Sequence, residues 1–216
     1  MERRPSPYVW ATWAAKVMAG DANCLFAYWL RANYRYIKLP SSFDLARWTA
    51  DHTALVQKQA QSLRDQGWEV KLESENSFNL QGRSGTIGGK PDIVAFRDGE
   101  VRVWDAKTGK QRHSDAMQVW IYLVCLPHLV EWSYKKLPKP KAGTVLYADG
   151  TTTEVVCQGK EDPLMPKFQA TMALLAKESA PVKSPSFEEC RFCDIPKDDC
   201  PDRVEEQPKA ATTNLF

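Results

Sequence analysis

The clearest pattern of apolar and polar positions runs from Gly88 to Tyr122. Two alternating runs, holding Val94 and Phe96 on one side and Val101 and Val103 on the other, flank Asp98-Gly99, a strong short-range signal for a two-residue hairpin turn. Pairing Arg97 with Glu100 fixes the register: Phe96 opposes Val101, Val94 opposes Val103, Asp92 opposes Asp105 and Lys90 opposes Lys107. Alternation puts both aspartates on the apolar face of the valines, with Cβ atoms roughly 5 Å apart, where like charges repel. A shared proton or a cation between the carboxylates relieves that repulsion, and oxygen ligands suit a hard divalent ion. A solvated pair at the strand ends is the alternative.

The remaining pattern is helical with short strands. Pro7 to Gly20 predicts a helix ending at its glycine, and Asp21 predicts the N-cap of a second helix running to about Tyr36. Cys24 then falls in a first turn, where the helix dipole favours a thiolate. A long helix from Phe43 to Gln66 carries an inward stripe of Leu45, Trp48, His52, Leu55, Gln59 and Leu63, so His52 points at the core as a hydrogen-bonded residue or a ligand. Trp68 to Leu72 and Ser77 to Gln81 predict strands. The glycine-rich run Gly82 to Gly89 lacks the Gly-Lys-Ser/Thr ending of a phosphate-binding loop and reads either as a place of close approach for a backbone phosphate, with Arg83 alongside, or as a flexible turn. A helix from Ser114 to Leu126 places Gln118, Tyr122 and Cys125 on one face. Thr144 to Tyr147 and Thr153 to Cys157 form a second hairpin, and Pro163 to Glu178 an amphipathic helix.

Composition narrows the partners. At 216 residues the chain suffices for one domain with a sizeable core, and its net charge of +2 gives no general affinity for polyanions. Any nucleic-acid surface comes from local patches, with Arg31 to Lys38, Lys107 to Arg112 and Lys135 to Lys141 as candidates. No run reaches the ~20 apolar residues of a membrane span and Met1 to Pro7 does not open a secretory signal, so a cytoplasmic protein without a membrane partner is expected. In that reducing compartment the six cysteines point to ligation or burial rather than disulfides. Cys190, Cys193 and Cys200 have soft-metal spacing, and Cys24 is the obvious fourth donor, for Zn²⁺ or an iron-sulfur cluster.

Pro91-Asp92 followed by Asp105-Ala106-Lys107 resembles the signature of the PD-(D/E)XK nucleases, and Gln118 to Tyr122 resembles the Gln-x-x-x-Tyr motif of their RecB-like branch. The resemblance implies an α/β (α+β) restriction-endonuclease-like core, a mixed sheet flanked by helices, and a metal-dependent deoxyribonuclease, commonly an exonuclease. Asp92, Asp105, His52 and the Ala106 carbonyl would hold Mg²⁺ or Mn²⁺. Lys107 would orient or deprotonate a water or stabilise the pentacovalent state, and Gln118 and Tyr122 would position the strand. RecB-like nucleases place a glycine four residues before the metal-binding histidine; here that position is Trp48. One upstream cysteine and three clustered downstream resemble the iron-sulfur subclass, which includes the AddB helicase-nuclease subunit and CRISPR-associated RecB-like nucleases. A 4Fe-4S cluster on Cys24, Cys190, Cys193 and Cys200 is implied.

The expected organisation is one nuclease domain over residues 1–202, with its ends joined by the cluster, and a polar, disordered tail over 203–216. The terminal Leu215-Phe216 resembles a sliding-clamp docking peptide, although threonine stands where glutamine is usual. DNA is the expected partner, in repair, recombination or CRISPR adaptation, with a helicase supplying any unwinding. The alternative is a non-catalytic DNA-binding adaptor with a vestigial site.

Overall fold

The computed structural model describes residues 1–207; Leu215-Phe216 and its clamp-docking reading lie outside them. In chain order the elements are β1 (Glu2–Arg3), β2 (Tyr8–Trp10), α1 (Ala11–Ala19), α2 (Leu25–Asn33), β3 (Tyr34–Arg35), α3 (Leu45–Asp65), β4 (Glu69–Leu72), β5 (Phe78–Gly82), β6 (Gly85–Gly89), β7 (Ile93–Arg97) and β8 (Glu100–Lys107). There follow α4 (His113–Cys125), α5 (Val130–Tyr134), β9 (Ala142–Tyr147), β10 (Thr152–Val156), α6 (Met165–Leu175) and α7 (Phe187–Cys190). The result is the expected mixed α/β architecture.

A five-stranded sheet in the order β10-β9-β8-β7-β4 forms the centre. Its one parallel pair, β8 with β9, is joined through α4, which lies on both strands, as a parallel crossover requires. The β7–β8 hairpin has the register set by its turn: Arg97 pairs with Glu100, Phe96 with Val101 and Val94 with Val103. Asp98 at φ 50° and Gly99 at φ 77° are both left-handed, as a turn matching strand twist demands. Both sheet faces are covered. Val94, Val101 and Val103 join the main core beneath α1 and α4, while Ile93, Ala95, Trp104 and Ala106 pack with Val56, Ala60 and Leu63 of α3.

Several expectations need correction. The glycine-rich run is not a loose turn: Gly85 to Gly89 is strand β6, central in a second sheet between β2 and β5. Its glycines leave room for aromatic side chains, since a Cβ at Gly88 would lie 2.0 Å from the Tyr8 hydroxyl and one at Gly89 2.5 Å from Phe78 Cζ. Asp21 does not cap α2; its carboxylate accepts from the Ser114 backbone N–H near the start of α4 at 3.1 Å, and Cys24 itself is the N-cap residue of α2. The inward stripe of α3 holds only in its C-terminal half. Leu45 and Trp48 are exposed because, among the described residues, no strand or other helix packs over the first turns. Arg31 belongs to no open basic patch; it is largely buried, with bonds of 2.8 and 3.0 Å to Asp194.

Candidate active site

The hairpin ladder ends at Ile93 opposite Trp104, so Asp92 and Asp105 stand one step beyond it, where β7 has not yet begun and β8 continues beside β9. Position at a strand end did not make them a solvated pair: Asp92 is 7% and Asp105 2% exposed. Asp92 Oδ2 accepts the Ala106 backbone N–H at 2.7 Å and lies 3.2 Å from His52 Nε2. The expected pairing of Lys90 with Lys107 does not occur. Lys90 Nζ lies 3.5 Å from Glu73, and Lys107 Nζ lies 2.6 Å from Asp105 Oδ2 while donating to Gln118 Oε1 at 3.1 Å.

Helix α4 supplies the next set of contacts. Gln118 Nε2 donates to Asp105 Oδ1 at 3.0 Å and to the Tyr122 hydroxyl at 2.8 Å, and that hydroxyl donates to the Lys90 carbonyl at 3.4 Å. The four-residue step from Gln118 to Tyr122 aims both side chains at the strand end, so one buried amide links the acid, the lysine and the tyrosine. His52, Asp92, Asp105, Ala106, Lys107, Gln118 and Tyr122 all line one cleft of about 510 Å³.

The electrostatics follow from burial and proximity. Burial pushes the Asp105 carboxyl up to about 6 against the pull of Lys107, and the nearby Asp92 adds to the rise. For Lys107 burial disfavours the charge, yet the carboxylates of Asp105, Asp92 and Asp115 together outweigh it and the pKa is raised. The hydrogen bond to Asp92 raises that of His52, and burial holds the Tyr122 hydroxyl well above the usual phenol range. Lys107 is therefore a fixed ammonium.

The donor set matches in part what a divalent ion requires. Asp105 Oδ2 is buried without an aligned hydrogen-bond donor; its contact with Lys107 is an ion pair by distance alone. A buried carboxylate that shares its cleft with a second acid and an imidazole fits a hard cation. Among the described residues no three His, Cys, Asp or Glu side chains already form a closed ligand set. The positive charge beside Asp105 comes instead from Lys107, which must swing aside or share the carboxylates.

Glu73 is a site residue that the sequence did not single out. Its backbone N–H donates to the Asp92 carbonyl at 2.9 Å, it has φ 32°, rare for a side-chain-bearing residue, and it lines the cleft. Its place depends on how the chain leaves β4, which no periodicity encodes. Trp48, in the position where a glycine was expected, stacks on His52 with ring centroids 4.9 Å apart and an interplanar angle of 24°.

Cys24, Cys190, Cys193 and Cys200 line a separate cavity of about 380 Å³, so α2 and α7 with its following turn bring an N-terminal and a C-terminal part of the described chain together. Lys16, Arg31, Arg112, Lys183 and Arg203 share this lining. Arg31 Nη2 points to Cys193 Sγ at 3.8 Å, and burial pushes the Cys193 and Cys200 thiols up. Cys125 is an inert core residue, 1% exposed, and Cys157 is half-buried. No described helix is long and apolar enough to cross a membrane.

No curated protein matches the chain significantly. Among solved structures, the crystal structure of SSO0001 is similar at 16% identity, over 93% of this chain and 89% of that one, with a TM-score of 0.46. The family model of the PD-(D/E)XK nuclease superfamily matches residues 11–197, a span that contains the whole cleft from His52 to Tyr122. With both acids, the lysine and their helix drawn to one strand end inside that match, the chain belongs to the PD-(D/E)XK nuclease superfamily.

Proposed function

We propose that this protein is a metal-dependent deoxyribonuclease of the RecB-like branch, acting as an exonuclease in repair, recombination or CRISPR adaptation in the cytoplasm. The observation that carries the reading is Asp105: a buried carboxylate with one oxygen lacking an aligned donor, beside a second buried acid, a histidine and an ammonium. Asp92, Asp105, His52 and the Ala106 carbonyl would hold Mg²⁺ or Mn²⁺. The bound ion supplies an activated water and neutralises charge on the phosphate.

The protein's own groups do the rest. The raised pKa of Lys107 favours its role as a charge stabiliser over that of a base, so its ammonium would meet the pentacovalent phosphorane as negative charge builds there. Gln118 fixes the separation of Asp105 and Lys107 by bonding both, and Tyr122 fixes Gln118. Neither needs to change protonation state. Their role is to hold the reacting geometry.

The cysteine cavity supports a 4Fe-4S cluster, with Zn²⁺ as the alternative occupant. Four thiolate donors fit either, and the Arg31 guanidinium, which reaches Cys193 Sγ at 3.8 Å, would offset part of the negative charge of a tetrathiolate centre. Its role is to join the ends of a single nuclease domain covering residues 1–202. A helicase would present the DNA strand.

The test is to incubate labelled single- and double-stranded DNA with Mn²⁺ and wild type, Asp105→Ala or Lys107→Ala protein. Cleavage by wild type alone is expected. Binding without cleavage by cluster-loaded wild type would instead establish the adaptor reading. Broad absorption near ~400 nm in anaerobically purified protein is expected for the cluster, and a colourless protein with stoichiometric zinc overturns that assignment.

A further inference from the structure

Trp10 and Trp48 stand on the wall of the catalytic cleft with 39% and 40% of their surfaces open to solvent. They come from unrelated elements. Trp10 ends β2, where parallel pairing with Gly88 fixes its backbone, and Trp48 sits in the exposed first turns of α3. Each indole is braced on one side. The Trp48 ring lies against the imidazole of His52, and the Trp10 ring meets Tyr8 edge-on with centroids 5.6 Å apart. Tyr8 is itself held by a 2.6 Å hydrogen bond from its hydroxyl to Asn79 Oδ1. Phe43, 58% exposed, lies 6.2 Å from Trp48 and extends the aromatic surface outward.

Two large aromatic rings, rigidly backed and left open beside a phosphodiester site, have no packing role on their open sides. Their chemistry matches a nucleobase. Inside a duplex both faces of a base are covered by its neighbours, so an indole can take a base face from an unpaired base or from a terminal pair, and only the unpaired base can offer one at successive positions along a strand. Lys90 and Lys107 line the same cleft, but each already lies beside a carboxylate, Glu73 at 3.5 Å and Asp105 at 2.6 Å, so the rings rather than free positive charge are what the cleft offers a strand. We propose that Trp10 and Trp48 are stacking platforms for unpaired bases next to the scissile phosphate, and that they make single-stranded DNA ends the substrate of this cleft. The inference rests on the nuclease reading above and adds the strand state it requires.

Trp48 touches His52, so Trp10 carries the decisive arm of the test. Binding is measured with Ca²⁺ in place of the catalytic ion, by tryptophan quenching on adding about 12-nucleotide strands, intact or with one abasic position walked along them. Trp10→Ala is expected to weaken intact single-strand binding about tenfold, equivalent to about 1.4 kcal/mol, with Trp10→Phe retaining most of the affinity. One abasic position should weaken wild type by a similar factor and leave Trp10→Ala unchanged, while blunt duplex binding is insensitive to Trp10. Equal abasic penalties in wild type and Trp10→Ala overturn the proposal, as does equal weakening of blunt duplex, which marks a merely structural role. Wild type that cleaves in Mn²⁺ with Trp10→Ala unimpaired on single strands refutes the platform alone; wild type that binds and shows the abasic effect but cleaves nothing refutes the nuclease reading alone.

Discussion

Replacing Asp105 by asparagine removes a charge the fold holds against its own preference. The two side chains have nearly the same shape, and Lys107 keeps Gln118 Oε1 as an acceptor. The folded-state pKa of Asp105 is raised to about 6 from an ordinary 3.8, with burial the main cause. A raised value means that the fold binds this proton more tightly than the unfolded chain. The corresponding stability is fully present below about 4 and is lost as pH rises through about 6, amounting to about 3 kcal/mol at neutral pH as an upper limit. His52, also raised, loses its contribution as pH rises above its own folded value, and does so in both proteins. With divalent ions chelated at pH 7.5, Asp105→Asn should therefore melt above wild type, by at most roughly 10 °C at about 2–4 °C per kcal/mol for a chain of this size, and by less to the extent that Lys107 loses its carboxylate partner. At about pH 3, below the ordinary value of 3.8, the two should converge. Adding Mg²⁺ at pH 7.5 should raise the wild-type melting temperature and leave the variant unmoved. A variant no more stable than wild type at pH 7.5, or equal stabilisation of both by Mg²⁺, refutes the reasoning.

Other substitutions test the scaffold around the site. Gly143→Ala places a Cβ 2.5 Å from Val119 Cγ1 and 3.0 Å from the Val103 carbonyl, and should cost about 1–3 kcal/mol in urea unfolding. Gly89→Ala meets Tyr122 Cε1 at 2.9 Å as well as Phe78, and should lower kcat about tenfold or more by displacing the tyrosine that orients Gln118. Asp194→Ala strands the largely buried Arg31 without its carboxylate and should destabilise by about 3 kcal/mol, read from denaturant midpoints. Cys193→Ala should abolish absorption near ~400 nm while the Asp92–Asp105 cleft still binds Mn²⁺, because the two sites share no residue.

The hairpin was legible because its turn residues fix a register and its alternation fixes a face. Asp98 and Gly99 both take the left-handed conformation, and every ladder pair from Arg97 opposite Glu100 back to Val94 opposite Val103 follows. Helix α4 was legible for the same kind of reason, since Gln118 and Tyr122 lie one turn apart on a mostly apolar helix. Strand β6 was hidden because glycine carries no strand preference; what places it is the bulk of Tyr8 and Phe78, supplied by other elements. Periodicity along α3 continues into first turns that no described strand or other helix covers, so Leu45 and Trp48 looked internal and are exposed. Arg31 looked like surface charge because its partner Asp194 is distant in sequence. Glu73 gave no signal, since a turn residue enters the cleft only through the path taken by β4 and β7.

The claim that the two acids form a metal seat for phosphodiester hydrolysis is tested most directly by the rate of cleavage of labelled DNA as Mn²⁺ is titrated, with the folding of each variant verified by its melting curve. The account predicts that the wild-type rate rises with Mn²⁺ and saturates, and that folded Asp105→Ala and Lys107→Ala each lose about 100-fold or more, on the scale of a lost transition-state contact. A rate independent of the metal, or one that survives intact in both variants, would contradict it.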